Sequence, residues 1–164
     1  MTRSDLIDTL EAYGFTVQTL EEEFLLYGVK EQQDTHLLAD TDRVELVQGD
    51  ISSFNGDAII NSAGTTLRMG TGVAGSLREA GGDALYKAAL KEGPVDLGDA
   101  VVTDGFELDA SYVIHAASMP HYGDGKSTQE SIRTATVNAL DKAEARDCQT
   151  VAIPAIGCGL GGVS

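Results

Sequence analysis

The sequence predicts an α/β domain, a layered and mostly parallel sheet flanked by helices. Three observations predict it. Short apolar runs of strand length alternate with longer helical patterns along residues 44–164, as repeated strand–helix units require. The run Asp57-Ala-Ile-Ile60 is continuously apolar after its first residue, as a strand covered on both faces is. Two glycine-rich loops each follow an apolar run, the place where open α/β sheets bind ligands.

The elements follow in order. Ser4 caps a helix over Asp5–Tyr13, which carries Leu6, Ile7, Leu10 and Tyr13 at helical spacing and stops at Gly14. Phe15–Val17 and Phe24–Val29 are expected as short strands around Glu21-Glu22-Glu23, and Lys30–Asp42 as loop. Residues 1–43 thus form a small accessory α-β extension with no visible chemistry. The main domain, residues 44–164, opens with strand Val44–Val47. Strands are then expected at Asp57–Ile60, Ala100–Thr103, Tyr112–His115 and Thr150–Ile153. Helices are expected over Gly72–Ala80, Gly82–Lys91 and Thr128–Ala145.

Composition excludes several classes. The chain has 164 residues, 42% hydrophobic and 23% charged, which suits one globular domain with a real core. No run reaches the ~18 apolar residues of a spanning helix, and Met1–Asp5 lack the apolar stretch of a signal peptide. Cys148 and Cys158 have neither the number nor the spacing of a disulfide framework, so a reduced cytoplasm is expected. The three histidines form no metal constellation, and no cofactor is implied. With 26 Asp+Glu against 11 Lys+Arg the net charge is -15, which disfavours nucleic acid duplexes and anionic membranes as partners. It leaves room for a small anion held by backbone N–H groups. The acidity is read either as adaptation to a saline cytoplasm or as ordinary acidic solubility.

The first glycine loop runs Gly64-Thr-Thr-Leu-Arg-Met-Gly70-Thr-Gly72-Val-Ala-Gly75 into a helix; the second is Gly157-Cys-Gly159-Leu-Gly161-Gly162. Such loops let backbone amides approach phosphates, and the helix start adds a favourable dipole. No Gly-Lys-Ser/Thr follows either loop, so a P-loop NTPase does not fit. Gly70-Thr-Gly72-Val-Ala-Gly75 matches the dinucleotide spacing, but no acidic residue ends a strand about twenty positions on. Asp50, after Gly49, is a turn or cap residue or an acceptor for the exocyclic amine of a base. Asn61 bonds turn backbone or a ligand. His115 is a hydrogen-bonded structural group or a catalyst, and Cys158 a nucleophile or a small residue beside phosphate.

Taken together, Val47-Gln-Gly-Asp50-Ile51, Asp57-Ala-Ile-Ile-Asn61-Ser-Ala63, Leu67-Arg-Met-Gly70-Thr-Gly72-Val73-Ala-Gly75, Tyr112-Val-Ile-His115 and Ile153-Pro-Ala-Ile-Gly157-Cys-Gly159-Leu-Gly161-Gly162 occur in one order. That series resembles the macrodomain family of ADP-ribose-binding modules, over about residues 44–164. The resemblance implies a three-layer α/β/α sandwich around a mixed, mostly parallel sheet. Because the chain ends at Ser164, just past the second loop, the sandwich is expected without its last helix, or with residues 1–43 in its place.

The resemblance also implies ADP-ribose, free or protein-linked, as the ligand. Asp50 would bind the adenine amine with help from the Ile51 amide. Gly70, Gly72, Val73 and Ala74 would cradle the phosphates and proximal ribose from one side, and Gly157, Cys158, Gly159, Leu160 and Gly161 from the other. Asn61 would join the binding residues. The alternative is hydrolysis of ADP-ribose esters by substrate-assisted water attack, with Asn61 and His115 as candidate catalytic residues. Hydrolytic members commonly carry a second Asn where this chain has Gly64, an Asp where it has Ala74, and an aromatic near Val163. Binding is therefore the first expectation.

Overall fold

The computed structural model describes residues 49–121 and 124–162. The expected helix and strands of residues 1–43, the strand Val44–Val47 and the final Val163–Ser164 lie outside the described residues, as does the boundary at 43/44.

A 3-10 turn at Ile51–Ser53 leads into strand β1, Ala58–Gly64. Helix α1 (Gly72–Glu92), β2 (Ala100–Asp104), β3 (Tyr112–Met119), helix α2 (Gln129–Glu144) and the short β4 (Val151–Ala152) follow. The sheet order is β2-β3-β1-β4. β1 runs parallel to β3 and β4, and β2 is antiparallel to β3. The sheet is mixed, as expected.

Side-chain alternation sets the layers. Ile59, Ala63 and Val113 pack with Leu77, Leu85 and Ala89 of α1. Their neighbours Ala58, Ile60, Ile114 and Ala116 pack with Ile132, Ala135, Ala139 and Ala143 of α2. Both faces are covered, so the central strands are apolar throughout rather than alternating. The three-layer α/β/α architecture is thus present.

Two strands outrun their expected ends. β1 continues through Asn61 to Gly64 and β3 through His115 to Met119, because small residues (Ser62, Ala63, Ala116, Ala117) keep the parallel ladder going. The two helices expected on either side of residue 81 appear as one span bent at Gly82, whose φ of 78° and ψ of 179° break the helical path. Arg78 reaches across the bend, 3.7 Å from the Tyr86 ring centroid, a cation–π contact. α2 starts at a full capping box: Thr128 Oγ1 accepts from the Ser131 N–H, and the Ser131 hydroxyl accepts from the Thr128 N–H. At the opposite end of the sheet, the Asp57 carboxylate accepts from the Gln149 and Thr150 N–H groups at 2.7 and 2.9 Å. These bonds lower its pKa and fasten β4 beside β1.

Candidate functional site

The carboxyl ends of the parallel strands β1 and β4 carry the two glycine loops, so the fold brings the loops to one edge of the sheet. A direct tie joins them: the Gly157 N–H donates to the Ser62 hydroxyl of β1 at 3.4 Å. Ser62 has no sequence signal beyond its place between Asn61 and Ala63.

The first loop ends in an open helix start. Thr71 is the N-cap of α1, and its side chain makes no capping hydrogen bond. The first bond of the helical ladder runs from the Gly75 N–H to the Thr71 carbonyl at 3.2 Å. The N–H groups of Gly72, Val73 and Ala74 therefore precede the ladder and have no intrahelical acceptor. They sit at the positive end of the helix dipole. Side chains added at Gly70 or Gly72 would meet nothing within 4 Å, so both residues border open space. Gly72 also has φ of 61°, a region that suits glycine. Val73 is half-buried and Ala74 buried.

The glycines of the second loop serve two different ends. Gly159 is exposed and faces open space. Gly157 and Gly161 are buried, and a side chain on either would collide, with Ile132 at Gly157 and with Ser127 and the Gly157 carbonyl at Gly161. Sequence spacing cannot separate a glycine that clears a ligand from one that clears a neighbour. Cys158 and Leu160 are exposed between them, and the Cys158 N–H donates to the Ala155 carbonyl at 3.3 Å.

Asp50 caps the 3-10 turn. Its Oδ1 accepts from the Ser52 N–H at 3.0 Å and from the Ser52 hydroxyl at 2.8 Å. The carboxylate is half-buried. Ile51 is 1% exposed and packs its side chain into the α1-side core, which leaves only its backbone for a ligand.

Asn61 and His115 do not reach this edge as open side chains. They are 1% and 0% exposed, and they point to the α1 face two residues beyond Ile59 and Val113. The Asn61 amide donates to His115 Nδ1 at 3.1 Å, and the opposite ring nitrogen lies 3.0 Å from the Thr103 hydroxyl. Burial pushes the His115 pKa down to about 4, so the ring is neutral at pH 7. His115, expected as a structural group or a catalyst, is buried in the sheet with a partner at each ring nitrogen. One amide N–H of Asn61 goes to His115, and its buried Oδ1 has no hydrogen-bond partner among the described residues. Thr103 had no sequence signal, because its role depends on β2 pairing with β3.

At Gly64 the resemblance to hydrolytic macrodomains would place an Asn. A Cβ there would sit 3.3 Å from the Pro120 carbonyl oxygen, so the turn after β3 crowds that position. Among the described residues no group of His, Cys, Asp and Glu could hold a metal ion, and no helix is long and apolar enough to cross a membrane.

Comparison with known proteins agrees with this fold. The family model described as Macro domain matches residues 60–164. A macro domain-containing protein of Vibrio parahaemolyticus is 40% identical over 124 residues, covering 73% of this chain and 72% of that protein. A protein of Mycobacterium tuberculosis is also 40% identical, over 119 residues that are 73% of this chain but 33% of its own length. The chain thus spans about a third of that longer relative. Among solved structures, an Oceanobacillus iheyensis macrodomain mutant with ADPR superposes with a TM-score of 0.62 at 27% identity, covering 71% of this chain and 66% of that one. The same protein with ADP gives 0.64 at 26% identity, over 79% and 72%.

Proposed function

The chain belongs to the Macro domain family, and from that premise we propose that it binds ADP-ribose or an ADP-ribose derivative, free or protein-linked, between its two glycine loops. One observation carries the reading. Gly70, Gly72 and Gly159 border open space at one sheet edge, beside the uncapped first-turn amides of α1. Backbone N–H groups and a helix dipole hold a diphosphate without any basic side chain. This reconciles an anionic ligand with a net charge of -15. Asp50 Oδ2, on the carboxylate whose Oδ1 serves the Ser52 cap, accepts from the adenine amine in this reading. The solved relatives with ADPR and with ADP support the ligand class.

Binding without turnover is favoured over ester hydrolysis. The candidate helpers Asn61 and His115 are buried against each other. Gly64 and Ala74 supply neither amide nor carboxylate near a distal ribose. These were the candidates for orienting or deprotonating a water. We place the protein in a reduced cytoplasm, and we read its acidity as salt adaptation.

The test is calorimetric titration with ADP-ribose in molar KCl, with ADP and ribose 5-phosphate as controls. Micromolar binding selective for ADP-ribose, about -8 kcal/mol, is expected. An ADP-ribosylated protein incubated with the chain is expected to stay modified. Absence of binding by a folded sample would overturn the reading, and release of ADP-ribose would favour the hydrolase.

A further inference from the structure

We propose that Lys126 is a phosphate-binding residue of the cleft, supplying a formal positive charge at the second glycine loop. The inference rests on the ADP-ribose reading and extends it to a residue outside the glycine loops. Lys126 and Ser127 precede the cap of α2, and both press against the end of the loop. The Ser127 N–H donates to the Gly161 carbonyl at 3.1 Å. The Ser127 hydroxyl is buried, finds no partner among the described residues, and lies 2.6 Å from the point where a Cβ on Gly161 would stand. These contacts fix the backbone just after Lys126 beneath the loop. The lysine stem is then laid along Gly162. Its Nζ, Cδ and Cε lie 2.6, 2.8 and 3.1 Å from where a Cβ on Gly162 would be. Gly162, at φ of 68°, is the residue that lets the stem pass.

The location of this ammonium has a consequence. The chain carries 26 acids and 11 bases, so its overall field repels a diphosphate before the loops can engage it. Lys126 is exposed, and it forms no ion pair with any described residue. A point charge with three donors at the loop edge offsets that repulsion where the phosphate oxygens arrive. The geometry assigns it to the diphosphate rather than to the adenine, which lies with Asp50 at the other end of the cleft in the proposed reading.

The experiment is a titration of the wild type, Lys126→Gln and Lys126→Arg with ADP-ribose and with adenosine. It is run over a series of KCl concentrations in which circular dichroism shows each protein folded. Lys126→Gln is expected to weaken ADP-ribose about tenfold, to flatten the salt dependence of binding, and to leave adenosine unchanged. The loss is expected to shrink as salt screens the contact, and Lys126→Arg is expected to restore affinity. Unchanged ADP-ribose affinity and salt dependence in Lys126→Gln would overturn this inference and leave the binding reading intact. Failure of the wild type to bind ADP-ribose would overturn both.

Discussion

Asn61 and His115 stand opposite each other in the parallel strands β1 and β3, and the Asn61 amide donates to His115 Nδ1 across 3.1 Å. Because an amide nitrogen only donates, Nδ1 is the acceptor, and the Nε2–H is left to donate to the Thr103 hydroxyl at 3.0 Å. Three strands of the sheet are thereby joined through one neutral ring. Such a chain is stable only while the ring stays neutral.

The first prediction is a pH dependence of stability. Burial lowers the His115 pKa from 6.5 to about 4, so as pH falls the unfolded chain takes up this proton first. The contribution of His115 is complete above pH 6.5 and is lost progressively between 6.5 and about 4. The shift corresponds to about 3 kcal/mol. Carboxylates also titrate toward the lower end of this window, so the measurement is the difference between the wild type and His115→Gln. Thermal melts from about pH 8 to about pH 4 should show the wild type losing its advantage as pH falls. Parallel curves would remove His115 as the source.

The second prediction concerns the bend in α1. Gly82 sits at φ of 78° and ψ of 179°, a region essentially reserved for glycine. A Cβ there would also stand 2.5 Å from the Glu107 carboxylate oxygen, which can swing away. The backbone term therefore dominates. Gly82→Ala should cost about 2 kcal/mol and lower the melting temperature by several degrees. An unchanged melting temperature would mean that α1 straightens without penalty. The Glu107→Ala background should leave the loss in place, which separates backbone strain from the side-chain contact.

Much of this architecture was legible in the residues. Alternating strand and helix patterns indicated the layered sheet, and the helices expected over Gly72–Ala80 and Gly82–Lys91 part at residue 81, one position before the bend at Gly82. The glycine loops were visible as loops. What could not be read is which glycine faces outward. Gly157 and Gly159 are alike in sequence, yet one clears Ile132 and the other clears open space. That difference is set by α2, a separate element. The same holds for His115: its place after an apolar run allowed a strand-end catalyst or an interior group. Only the pairing of β3 with β1 and β2 shows that both ring nitrogens are already engaged.

The third prediction separates the two roles of Asp50. Its Oδ1 caps the 3-10 turn through Ser52, and in the proposed reading its Oδ2 meets adenine. Asp50→Ala removes both, costing about 1 kcal/mol of stability from the lost cap. Asp50→Ser retains a capping oxygen but is too short to reach a base. Both variants should weaken ADP-ribose about tenfold, about 1.4 kcal/mol, and leave ribose 5-phosphate unaffected. An equal loss for the two ligands in Asp50→Ser would place Asp50 away from the adenine.

The fourth prediction is the sharpest test of the cleft. Gly159 faces open space and is exposed, so Gly159→Glu should fold with a melting temperature close to that of the wild type. Its carboxylate would then stand where the loop receives phosphate, opposing it by charge and by volume. Affinity for ADP-ribose and for ADP should fall at least a hundredfold, about 2.7 kcal/mol. Gly161→Glu is the contrasting variant. A side chain there drives into Ser127 and the Gly157 carbonyl, so it should lower the melting temperature as well as the affinity. Undiminished binding by a folded Gly159→Glu protein would show that the second loop is only a turn. Lost binding together with an intact melting curve would place the phosphate against Gly159, since no packing role of that residue remains to account for the loss.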